Sequence, residues 1–90
     1  MAVYVGVKFQ TIRSTAWPYK WASHLFADTV AELHEFAARL GLKRSWFQNH
    51  TRLPHYDVTS NKRTEAIQRG AITVDMKTEV SFYKCKSKGE

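Results

Sequence analysis

The stretch "ADTVAELHEFAARLGL", residues 27–42, constrains the fold more than any other part of the chain. Val30, Leu33, Phe36, Ala37 and Leu40 recur at helical spacing and form one apolar stripe. Thr29 followed by Glu32 matches a capping box, with Asp28 as an alternative cap. Gly41 suits the left-handed position that ends a helix. Such a helix must bury its stripe on another layer.

The flanking segments supply that layer as short strands. "AVYVGV" (2–7) is apolar and β-branched, so it predicts a buried strand. Residues 8–27 show no sustained period and contain Pro18, which predicts a long ordered loop with a turn or short strand near 23–27. "KRSWFQ" (43–48) predicts a second strand, with Trp46 and Gln48 on one face and Phe47 on the other. "NHTRLPHYDV" (49–58) predicts a loop. "TSNKRTEAIQRG" (59–70) predicts a second helix, capped by Thr59 and ended by Gly70. "AITVD" (71–75) predicts a third strand. Val80, Phe82 and Tyr83 then suit either an edge strand or a short helix.

The order β-α-β-α-β predicts a small α/β domain of two or three layers. Its sheet is expected to be short, three-stranded and mostly parallel, with a long first loop. Ninety residues suit one domain, expected over 1–83, with a basic tail at 84–90. The single cysteine, Cys85, has no partner for an internal disulfide, which favours a reducing compartment. The start lacks a signal peptide, and no apolar run approaches the ~20 residues of a membrane span. The expected location is therefore the cytoplasm, with no membrane partner.

The net charge of +6 favours an anionic partner. In open α/β sheets, ligands gather beyond the carboxyl ends of strands, where the polar, aromatic-rich loops would lie. "HYDVTSNKR" (55–63) adds a mechanism. The first N–H groups of a helix lack intrahelical partners and face an anion favourably. Thr59 and Ser60 offer hydroxyls, and Lys62 and Arg63 offer charge. A cation in a first helical turn is unfavourable by roughly 0.3–1 kcal/mol, so both need an offset: Asp57, Glu65 or a bound anion.

"HLFADTVAELHEFAARLGLKRSWFQ" and "HYDVTSNKRTEAIQRGA" together resemble the family known as domain of unknown function 4031. The likeness runs from about His24 to Ala71 and includes the V-Y-V strand. It implies a bacterial or phage protein. It also implies recurrent polar and aromatic features at His24, Asp28, His34, Trp46, Gln48, His55, Tyr56, Asp57 and Arg63. Members commonly carry an aspartate after V-Y-V, where this chain has Gly6. The family name implies no activity.

Three rival functions differ in what they need. His24, Asp28, His34, His55 and Asp57 are metal-ligand types, but their spacing matches no metal motif, so no metal and no cofactor is assigned. His55 beside Asp57 suits acid–base chemistry such as phosphate-ester hydrolysis, but no phosphate loop or nucleophile elbow accompanies it, so no catalytic residue is assigned. Trp17, Tyr19, Trp21, Trp46 and Tyr56 with Arg13, Lys20, Arg44 and Arg52 suit stacking on nucleic acid, but no such module is recognisable. The preferred expectation is a non-enzymatic pocket for a small, nucleotide-like phosphorylated anion. Its expected contacts are His24, Trp46, Gln48, His55, Tyr56, Thr59, Ser60, Lys62 and Arg63. A three-stranded sheet would leave edges to pair, which allows a homo-oligomer.

Overall fold

The computed structural model describes residues 2–11, 19–49 and 53–89, with side chains to Phe82. Arg13, Trp17, Pro18 and Arg52 lie outside the described residues, as does the side chain of Cys85. The strands are β1 (Val3–Val5), β2 (Phe9–Gln10), β3 (Trp21–Ala27), β4 (Phe47–Gln48), β5 (His55–Val58) and β6 (Ile72–Thr73). The helices are α1 (Val30–Arg39), α2 (Ser60–Gln68) and α3 (Met76–Gly89), with a 3-10 turn at Arg44–Trp46.

Both expected helices form, and local chemistry sets their ends. Thr29 Oγ1 accepts from Glu32 N at 3.2 Å and donates to the Glu32 carboxylate at 3.0 Å. Thr59 caps α2 in the same way, accepting from Lys62 N at 3.2 Å. Gly41 (φ 79) and Gly70 (φ 107) take positive φ just beyond the two helices. After each glycine the next N–H returns to the helix: Leu42 N to Ala37 O, and Ala71 N to Ala66 O, both at 2.9 Å. These are Schellman closures, and they drop Leu42 and Ala71 into the core. Gly41→Ala is expected to cost about 1–2 kcal/mol, because a β-carbon disfavours left-handed backbone; urea unfolding would measure it.

The sheet corrects the expected topology. Among the described residues it has six strands, in the order β4-β5-β3-β1-β6 with β2 also on β3. Among the described residues only β1 and β6 pair in parallel; the other pairs are antiparallel. The expected loop at 8–27 contains β2 and the seven-residue β3, and the expected loop at 49–58 contains β5. The expected strand at 43–48 is a 3-10 turn over Arg44–Trp46 and a strand only at Phe47–Gln48. The physical reason lies in β3, which pairs with β1 and β5 on either side and is covered on both faces. Ser23, Leu25 and Ala27 point one way, and Ala22, His24 and Phe26 the other. All of these except His24 are buried, so the segment carries no polar alternation.

The two faces have different chemistry. On one side Val5, Leu25, Tyr56 and Val58 form the main core with Leu33, Ala37, Leu40 and Ala66 of α1 and α2. On the other side α3 packs through Phe82 against Tyr4 and Phe26, with ring centroids 4.8 and 5.0 Å away. That second face also carries His24 of β3, Gln48 of β4, and His55 and Asp57 of β5.

Candidate functional site

Register brings the polar residues together. In β5, His55 and Asp57 are two residues apart, so they share a face. His24 of β3 lies opposite Asp57, and Gln48 of β4 lies opposite His55. Phe9 of β2 leans over the His24 ring, with centroids 4.9 Å apart. The His24 and His55 rings lie 4.2 Å apart.

Fixed acceptors orient both imidazoles. His24 Nδ1 lies 2.6 Å from Glu79 Oε2 of α3. His55 Nδ1 lies 2.7 Å from the Leu53 carbonyl. An ionised carboxylate and a carbonyl only accept, so each Nδ1 carries the proton and donates. In the neutral rings, each Nε2 then presents a lone pair. His55 Nε2 is 3.4 Å and His24 Nε2 is 3.6 Å from the same atom, Asp57 Oδ1. That oxygen is buried, with no hydrogen-bond partner among the described residues. The other Asp57 oxygen accepts from Gln48 Nε2 at 2.5 Å.

The electrostatics agree with this geometry. Burial alone would push His55 down, but the Asp57 carboxylate, the Leu53 carbonyl and the Glu79 charge outweigh it and hold His55 above its ordinary value. Burial alone would raise Asp57, but His55, His24 and Gln48 outweigh it and hold the carboxyl low. Positive charge between these groups is favourable.

Glu79 is the residue that sequence reasoning missed. It is 95% buried, since its relative exposure is only 5%. Its helix had a local signal: Asp75 Oδ1 accepts from Thr78 N at 2.8 Å, an N-cap spaced like those of Thr29 and Thr59. Glu79 also explains Gly6. A β-carbon there would overlap the Glu79 carboxylate.

A cleft of about 550 Å³ opens beside Asp57, lined also by Tyr19, Leu42, Trp46, Phe47, Gln48, Thr59 and Lys62. A second cleft of about 490 Å³ shares Tyr19, Thr59 and Lys62, and adds Lys20, Trp21, Ser60 and Asn61. Five of the nine expected contacts therefore line clefts: Trp46, Gln48, Thr59, Ser60 and Lys62. His24 and His55 belong to the neighbouring cluster. Tyr56 lies in the core, and Arg63 Nε donates to the Gly6 carbonyl at 3.0 Å. Lys62 Nζ donates to the Leu40 carbonyl at 2.6 Å, at the C-terminal end of α1, and lies 3.4 Å from Glu65. The negative end of one helix dipole thus offsets the charge that the positive end of another disfavours.

Of the other metal-type residues, Asp28 leaves the cluster and binds Ala2 N and the Tyr4 hydroxyl, both at 2.9 Å. His34 pairs with the Tyr56 hydroxyl at 2.8 Å. Burial, with the Arg44 charge nearby, holds His34 below its ordinary value of 6.5. A depressed folded value means full stability above the unfolded value and a loss as pH falls through it. His34→Gln is therefore expected to lose less stability than the parent protein between pH 8 and 5.5 in urea unfolding; the comparison is needed because His55, held above its ordinary value, acts in the opposite direction.

The family model described as "Protein of unknown function (DUF4031)" matches residues 3–86. The match takes in the V-Y-V strand and extends into α3, which lies beyond the stretch that carried the resemblance. No curated protein and no solved structure matches the chain. No described helix is long and apolar enough to cross a membrane. With a match over nearly its whole length, the chain belongs to the DUF4031 family of proteins of unknown function.

Proposed function

We propose that this protein is a binding module for a small phosphorylated, nucleotide-like anion, held without turnover. The observation that supports this most is the pair of adjoining clefts sharing Tyr19, Thr59 and Lys62. One cleft is cationic and polar: Lys20 and Lys62 flank the first turn of α2, where Ser60 and Asn61 lie. The other offers Leu42 and Phe47 beside the exposed ring of Trp46. A ligand with a charged head and a flat apolar body complements both. Their volumes, about 550 and 490 Å³, suit one small molecule. An ammonium has three donors, so Lys62 can hold Leu40 and Glu65 and still reach a phosphate oxygen. A module of this kind acts by sequestration, and a nucleotide signal in the cytoplasm is the cargo that fits.

Calorimetry with adenine and guanine mono-, di- and cyclic nucleotides tests the reading. One of them is expected to bind one to one and to be recovered unchanged by chromatography. At a hundredfold excess over its Kd it should stabilise the fold by about 2.7 kcal/mol. Trp46→Ala should weaken binding roughly 5- to 150-fold, the equivalent of about 1–3 kcal/mol for one stacked base. It should leave the unliganded fold intact, because Trp46 is 49% exposed. No binding across the panel would end the proposal. Recovery of a cleaved product would replace binding with hydrolysis.

A further inference from the structure

We infer that His24, His55 and Asp57 form a binding site for a divalent first-row metal ion of the zinc class. The inference goes beyond the cleft and does not depend on its ligand.

The cluster is built for a cation. Each of the three residues offers one ligand atom, and these atoms lie within 4.8 Å of one another. With both Nδ1 atoms donating elsewhere, the two Nε2 lone pairs converge on the buried Asp57 Oδ1. Three lone pairs facing one another repel unless something positive lies between them. Metal–nitrogen and metal–oxygen bonds of about 2.0–2.2 Å place the donors of a tetrahedral centre about 3.3–3.6 Å apart. The spacings from Asp57 Oδ1 are 3.4 and 3.6 Å. The three ligand atoms lie within 4.8 Å of one another, so the two imidazoles close the site around an ion by drawing together over Asp57.

The outer partners match as well. Metal-bound histidines commonly donate their other N–H to a carboxylate or a backbone carbonyl, which fixes the ring and makes it a better ligand. Here Glu79 does this for His24 and the Leu53 carbonyl for His55. Gln48 holds the second oxygen of Asp57, so that carboxylate presents Oδ1 alone. Two carboxylates in the cluster, Asp57 and Glu79, match the charge of a divalent ion. Two imidazoles and one carboxylate favour zinc, iron, cobalt or nickel over magnesium and calcium, which prefer oxygen cages. Three protein ligands leave at least one position for water or substrate.

The rival occupant is a proton: a charged His55 against Asp57, with no metal. Titration of metal-stripped full-length protein with Zn2+ and Co2+ at pH 7.5 separates the two. One equivalent is expected to bind, and Co2+ should develop the intense visible bands of a four-coordinate site. Asp57→Asn and His24→Gln, each shown to be folded by circular dichroism, should each weaken Co2+ binding at least a hundredfold and abolish those bands. Two variants are needed in case one fails to fold. Absence of one-to-one binding by the unaltered protein would overturn the inference. Binding that survives in both variants would place the metal on other histidines and overturn it equally.

Discussion

Leu25→Ala is expected to lower stability by about 3–5 kcal/mol, the range for a buried leucine whose cavity cannot collapse. Domains of this size have a total of roughly 5–13 kcal/mol, so the variant should unfold early in urea. The size of the effect follows from position. Leu25 is fully buried, with Val5 of β1 opposite it on one side and Tyr56 of β5 on the other. The strands meet there, and α1 and α2 close over them through Leu33 and Ala66. The neighbouring sheet cannot shift into the hole without losing register with two partners. Ile72→Ala on the exposed edge strand β6 is the internal control and should cost well under 1 kcal/mol. Tryptophan fluorescence during urea unfolding would compare the two. If Leu25→Ala cost as little as Ile72→Ala, β3 would not be the central strand.

The same strand shows why the sequence carried the helices better than the sheet. The ends of α1 and α2 are written within a few residues: Thr29 with Glu32, Thr59 with Lys62 N, then Gly41 and Gly70. Nothing so local marks β3. A strand covered on both faces shows a continuous apolar run, which period alone does not separate from irregular chain. With β3 read only as a turn or short strand and β5 as a loop, the strand–helix order suggests parallel crossovers. The cluster was half legible for the same reason. His55 and Asp57 alternate across Tyr56 as strand residues do, but the stretch 49–58 that holds them reads as a loop. His24 and Glu79 join them only through the β3–β5 register and the docking of α3, which are non-local. The dipole argument at Lys62 and Arg63 was local and asked for an offset. The fold gives them the Leu40 and Gly6 carbonyls as partners.

Gly6→Ala and Glu79→Ala are each expected to reduce Co2+ affinity 10- to 100-fold, the usual effect of disturbing a group that orients a metal-bound histidine. Neither residue supplies a proposed ligand atom; both act through His24. Glu79 holds His24 Nδ1 at 2.6 Å, which keeps Nε2 turned toward Asp57. Gly6 matters because the Glu79 carboxylate occupies the space that any β-carbon at position 6 would take. Its φ is not positive, so room rather than backbone freedom demands the glycine. Two residues that act through one carboxylate should not have additive effects. With Glu79 already alanine, the methyl group of Gly6→Ala has nothing to displace, and the double variant should bind Co2+ as the Glu79 variant does. Independent losses would multiply instead, to 100- to 10,000-fold. A multiplicative result would show that Gly6 serves the backbone just beyond β1, where its amide donates to the His24 carbonyl at 2.9 Å, and not the carboxylate. A double variant matching the single one ties the missing side chain at position 6 to the carboxylate that α3 brings in from 73 residues away in the chain.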